Sequence, residues 1–342
     1  MRRLSRTPHA SSMRPGKTAD RSCQCAELAC VLRHIPTDAM KKSDAAALLL
    51  LGALWGASFL FMRMGANQFG GMALAGMRAI GAAICSIPLL NSRERLAELR
   101  THWRSVLIVG IANSALPFIL FSYAAQSLPA GLSAIFDAIA PLLVAASGWL
   151  WLGERLDLSR ASGLLIGLVG VVWLIGGSLG FGHGGSSVGW AMAACVGANL
   201  CYTVGAHYSH RRLQVVTPMT VAIGSQFAAA LLLLPFTVWL WPAKAPTVQA
   251  WFAMFGLAAA CTSLAYVLFY RLMARIGSTR SMAVLYLIPV FGVLWGALFL
   301  GETVTVAMAG GCVVILLGVA LTTGMLHFGA GTIAPLDQAE KA

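Results

Sequence analysis

Charged residues are scarce in this chain: of 342 residues, 11% are Asp, Glu, Lys or Arg, where a soluble domain carries about 25%. A water-facing surface cannot be covered with so few, so lipid must cover most of what the chain presents. Acidic residues are scarcest, 12 against 24 Lys and Arg. A net charge of +12 would suggest nucleic acid in a soluble protein. Here the basic residues lie in short stretches between apolar runs, where they read as topology signals, and no nucleic-acid partner is expected. No GxxxxGKS/T sequence and no soluble domain long enough to hydrolyse nucleotide are present, which argues against ATP drive within the chain. An HExxH zinc motif is also missing. The eight cysteines make no framework, because three lie in the polar N-terminal stretch and the rest are scattered through apolar segments. The chain therefore reads as a non-enzyme, with no catalytic residue, metal or cofactor.

Apolar residues make up 58% of the sequence. Because a helix rises 1.5 Å per residue, about 20 apolar residues cross the roughly 30 Å hydrocarbon layer. Ten segments meet that length: 45–64, 70–90, 104–126, 129–150, 161–179, 188–208, 217–240, 249–271, 280–300 and 306–325. Lys41, Lys42, Arg93, Arg95, Arg100, Arg104, Arg155, Arg160, Arg211, Arg212, Arg275 and Arg280 fall in alternate loops, and the other side has only Arg63 and Lys244. The basic side is cytoplasmic, and an even number of spans returns both termini there. Trp103, Trp149 and Trp151 fall at the inner boundary and Trp190, Trp239, Trp241 and Trp251 at the outer one, as amphipathic rings should. Residues 1–43 are basic, lack the apolar run of a signal peptide, and are expected to form a disordered tail, with Met40 a natural start for the membrane part. Residues 326–342 read as a cytoplasmic C-terminal tail.

The sequence repeats at an offset of 148 residues: Phe121 aligns with Phe269, Ser133 with Ser281, Pro141 with Pro289, Gly148 with Gly296, Gly163 with Gly311 and Gly170 with Gly318. Leu152-Gly153-Glu154 matches Leu300-Gly301-Glu302. Shared apolar composition would align alanines and leucines; it would not bring proline, Gly-Glu and further glycines into register. Two five-helix repeats are expected, 44–179 and 188–325. Since five is odd, the second enters the membrane from the opposite side, and inverted repeats of this kind supply alternating access.

Leu128-Pro129-Ala130-Gly131, Ala140-Pro141-Leu142 and Trp151-Leu152-Gly153-Glu154-Arg155 have their echo in Ile276-Gly277, Ile288-Pro289 and Leu300-Gly301-Glu302. With Trp55-Gly56-Ala57-Ser58-Phe59 and Arg78, these stretches resemble the EamA-type transporters of the drug/metabolite transporter superfamily over about residues 44–325. The resemblance implies a bacterial inner-membrane exporter of amino acids, related metabolites or toxic compounds, with a cavity between the halves.

Ionisable and polar residues inside the spans are the candidates for function. Asp137 and Arg78 should lie at similar depth, where an unpaired charge costs about 2.5–3.5 kcal/mol on insertion scales. They either neutralise each other and fix packing, or bind substrate. Pro141, Pro289 and Pro117 lack an amide hydrogen and free the carbonyls of Asp137, Leu285 and Asn113, which marks cavity-facing kinks. Asn113, Tyr202 and Tyr286 are chosen from a larger polar set that includes Asn199, Gln226 and Tyr266. Trp55 lies well inside its span, as a packing ring or a substrate-facing one. Glu154 and Glu302 end spans four and nine on opposite faces, where they cap the next turn or make gating contacts. Gly163, Gly167 and Gly170 form a close-approach stripe that packs spans five and ten together or makes a homodimer contact. The expected function is secondary active export of a small amino-acid-like metabolite or an amphipathic drug-like compound, driven by protons or by the substrate's own gradient. Uptake or exchange, and a membrane protein without transport, are the alternatives.

Overall fold

In lipid every backbone amide must find a partner within the protein, so a chain this apolar has helices or a closed barrel open to it. The computed structural model describes residues 41–90, 92–153, 157–180 and 186–326, and they are helical with short connections. The helices are α1 (Lys42–Phe69), α2 (Gly71–Ser86), α3 (Arg93–Ala124), α4 (Ala130–Asp137), α5 (Ala140–Leu152), α6 (Leu158–Gly180), α7 (Ser186–Arg212), α8 (Pro218–Trp239), α9 (Val248–Ile276), α10 (Ser278–Ser281), α11 (Val284–Leu300) and α12 (Val306–Thr322). Among the described residues eight helical segments are long and apolar enough to cross a membrane, α4 with α5 counting as one, and α11 and α12 are shorter apolar helices. The expected N-terminal tail falls almost entirely outside the described residues, as do most of the C-terminal tail and Glu154.

Helix ends depart from the apolar runs where polar turns continue a helix. α3 begins at Arg93 rather than 104, because 93–102 is a charged stretch of good helix formers, and it bends at His102 (φ −112°, ψ 19°) before the apolar part.

Three of the long segments are irregular at mid-depth. Ile111–Ala115 in α3 and Gly256–Leu264 in α9 are π-helical turns. Pro117, which supplies no amide to the preceding turn, directly follows the first. The second has Ala265 at the matching position. Its widened turn is closed instead by the Thr262 hydroxyl, which donates to the Leu257 carbonyl at 2.8 Å. Between α4 and α5 the helix is interrupted at Ala138 and Ile139, directly after Asp137, with Pro141 in the first turn of α5. Asn199 on α7 donates to the Phe136 carbonyl at 3.0 Å and so helps satisfy this break from outside the segment. In the second half the interruption lies at Met282 and Ala283, and Pro289 sits within an unbroken α11.

Contacts recur with their partners exchanged. On α6, Gly163 faces Leu321 and Thr322 of α12, and Gly311 on α12 faces Leu174 of α6. Gly170 faces Ile315, and Gly318 faces Gly167. Each pair becomes the other when both members move by the 148-residue offset, one forward and one back. The glycine stripe is thus used within the chain, to bring α6 and α12 to backbone contact. Gly153 (φ 68°) and Gly301 (φ 64°) end α5 and α11 in the same left-handed turn, donating to the carbonyls of Gly148 and Gly296. Beyond that turn Glu302 reaches back to α4, accepting hydrogen bonds from the amides of Ala130 (2.7 Å) and Gly131 (3.1 Å). A carboxylate at a helix start satisfies orphan amides and meets the positive end of the helix dipole.

Candidate functional site

Polar side chains are concentrated where α2, α3, α7, α8 and α9 meet. A cavity of about 230 Å³ lies there, lined by Asn113, Ser114, Tyr202, Ser225, Gln226, Tyr266 and Tyr270, with Val109, Val221 and Ala222 as its apolar wall. The π-turn of α3 carries Asn113 and Ser114. The Gln226 amide donates to the Ser114 hydroxyl at 3.1 Å. Asn113 fits only because position 205 on α7 is glycine, where a Cβ would overlap its amide. The buried oxygens Oδ1 of Asn113 and Oε1 of Gln226 accept no hydrogen bond from a described residue. A buried acceptor left unpaired costs about 1–3 kcal/mol, so both are poised to take a donor from a guest or from water.

Arg78, on α2, is 8% exposed. Its Nε donates to Thr262 Oγ1 at 3.0 Å, Nη1 approaches Met62 Sδ at 3.6 Å, and the guanidinium carbon stands 3.8 Å from the centre of the Phe118 ring. A desolvated cation over an aromatic face gains about 2 kcal/mol. The expected contact with Asp137 is not made: no ion pair joins the two within 4 Å, although each acts on the other through space. Asp137 ends α4 half-buried, and its carboxylate makes no hydrogen bond to any described residue. Tyr202 and Tyr266 lie within electrostatic reach of both charges.

The remaining candidates are distributed. Tyr202 is at the cavity, its ring 6.3 Å from Phe121. Trp55 sits edge-on to the cavity residue Tyr266 at 6.3 Å and 5.3 Å from Phe269. Tyr286 lies apart from the cavity, its hydroxyl 2.8 Å from that of Thr323, joining α11 to the end of α12. Glu302 caps α4. Tyr270, Ser114 and Ser225 were not singled out from the sequence. Applying the 148-residue offset to Arg78 leads to Gln226, and applying it to Thr262 leads to Ser114, so the repeat held a signal for two of the cavity groups. A larger, open crevice of about 940 Å³ lies along Ile87, Pro88, Leu90, Arg93, Leu96, Ala97, Arg100 and Thr101, and none of the mid-depth polar groups lines it.

An all-helical, multi-span membrane protein with a small polar chamber inside its bundle is the architecture of a small-molecule transporter. The EamA-like transporter family matches residues 44–176 and again 189–324, and the chain belongs to that family. It is similar to the uncharacterized transporter YvbV of Bacillus subtilis (strain 168), 23% identical over 82% of this chain and 92% of that protein. It is also similar to a probable amino-acid metabolite efflux pump of Salmonella typhimurium, 25% identical over 82% of this chain and 94% of that protein. A solved crystal structure superposes with a TM-score of 0.59 at 22% identity, covering 83% of this chain and 98% of that one, which supports the fold.

Proposed function

We propose that the protein is a secondary active exporter of the bacterial inner membrane, carrying small amino-acid-like metabolites or amphipathic drug-like compounds by alternating access. In this reading ten spans form two inverted five-helix repeats with both termini cytoplasmic, and the cavity between α3, α7, α8 and α9 belongs to the substrate path. Asp137, Arg78, Asn113 and Tyr202 act on that path, with Trp55 behind it. One observation carries the proposal: the hydrogen bond from Arg78 to Thr262 and the bond from Gln226 to Ser114 are the same bond with the two halves exchanged. Halves that trade contacts around a shared chamber have two related packings available, one opening to each side. The efflux pump of Salmonella typhimurium supports an amino-acid-like cargo.

The test is reconstitution. Purified protein in liposomes preloaded with neutral amino acids should support counterflow, and a pH step should change its rate if protons are coupled. Single cysteines at Gln226 and Ser58 should become reactive from opposite sides as substrate and gradient change. Accessibility that stays fixed to one side, with no counterflow for any amino acid or cationic dye, would overturn the proposal.

A further inference from the structure

Two charges of opposite sign lie deep in this bundle without touching. Arg78 has one aromatic face and one hydroxyl as partners, and Asp137 has no hydrogen-bonding partner among the described residues. Chains rarely leave this unresolved, because a charge at membrane depth is costly and its opposite within reach is the cheapest remedy. Each is held by other contacts. Arg78 is drawn toward α3 and α9 by Phe118 and Thr262, while Asp137 is fixed at the interrupted end of α4, which Asn199 braces through the neighbouring carbonyl.

We infer that Arg78 and Asp137 are the two ends of a divided site for a zwitterion, the carboxylate of the ligand going to Arg78 and its primary ammonium to Asp137. A ligand carrying both charges completes both half-pairs at once, whereas a cation or an anion completes one and leaves the other bare. Tyr202 and Tyr266, which line the neighbouring cavity, have hydroxyls to donate to the carboxylate. The unfilled oxygens of Asn113 and Gln226 accept from ligand N–H groups or from water. Size points the same way. Pockets for drug-sized ligands run from about 300 Å³ upward, and the neighbouring cavity, which Tyr202, Tyr266, Asn113 and Gln226 line, is about 230 Å³. Of the two substrate classes proposed above, the site selects the small zwitterion, and this inference rests on that transport reading.

Binding to protein in nanodiscs, followed by tryptophan fluorescence, tests the site independently of flux. The probes are the neutral L-amino acids, then the methyl ester and the N-acetyl derivative of the tightest binder. Each derivative should bind weaker by on the order of 30-fold or more. Asp137→Asn should remove the penalty for N-acetylation and keep that for esterification, and Arg78→Gln should do the reverse. The derivatives on the unsubstituted protein decide the matter even where a variant fails to fold. Binding of both derivatives as tightly as the parent, or binding of cationic amphiphiles and of no neutral amino acid, would overturn the inference. Flux of cationic dyes that Asp137→Asn leaves unchanged would sink the zwitterion site and leave transport standing. The expected derivative pattern in nanodiscs without flux in liposomes would keep the site and sink transport.

Discussion

At two equivalent crossings, where α2 meets α9 and where α8 meets α3, the same backbone arrangement carries different chemistry. Arg78, Phe118 and Thr262 occupy one; Gln226, Tyr266 and Ser114 stand at the matching positions of the other. Asp137 has Leu285 as its counterpart and Asn113 has Cys261. The halves thus share a side-chain contact between the same pair of helix positions and differ in the chemistry of the groups that make it. A molecule with identical halves would have no energetic reason to rest open to one side. In the alternating access proposed above, a cation grips one crossing and a neutral amide the other, so the two packings would differ in energy by whatever the stronger grip is worth.

Exchanging the two residues attacks that comparison most directly. Arg78→Gln alone should lower transport on the order of 100-fold, because a charged hydrogen bond and an aromatic contact are lost together. The double variant Arg78→Gln with Gln226→Arg should move the resting accessibility of a reporter cysteine to the opposite side of proteoliposomes. An unmoved resting side would show that the bias is set elsewhere. The next largest effect separates two exchange-related glycines. A Cβ at Gly163 meets the Thr322 backbone nitrogen at 2.6 Å, while one at Gly311 meets the Leu174 side chain at 3.2 Å. Gly163→Ala should therefore cost about 2 kcal/mol and Gly311→Ala less than about 0.5 kcal/mol, measured by thermal melting in detergent. Equal losses would mean that α6 and α12 can slide apart.

Smaller still is Glu302→Gln, which keeps the shape of the cap on α4 and removes its charge. It should cost about 1 kcal/mol and speed hydrogen exchange at Ala130 and Gly131. Glu154→Gln, its partner by sequence offset, should match that loss if the repeats use the motif alike. Pro117→Ala should be nearly silent, below about 0.5 kcal/mol, because α9 keeps its π-turn with alanine at the matching position. Loss of the π-turn in that variant, seen as a restored helical bond in a new structure, would tie the irregularity of α3 to its proline alone.

What could be read in advance follows from how locally each feature is encoded. Span existence needs only twenty apolar residues in a row, and the glycines of α6 and α12 announce close approach by their spacing. The 148-residue offset even carried the second crossing, since it links Arg78 to Gln226. The choice of partner for Arg78 was not legible: whether a side chain at that depth meets Asp137 or Phe118 turns on helix rotation, which apolar composition does not specify. Nor were the π-turns, because a shift in hydrogen-bond register leaves no mark on hydropathy, and α9 has no proline to betray it. On sequence Tyr286 is preferred to Tyr266, yet Tyr266 lines the cavity and Tyr286 is bonded to Thr323 away from it.

The carboxylate of Glu302 fastens the first turn of a helix of eight residues whose last residue is Asp137. That short helix has one end pinned to the turn that holds Glu302 and the other bearing the charge. In the transport reading proposed above, a nanobody gripping residues 301–305 would hold that pinned end and stall transport without entering the cavity.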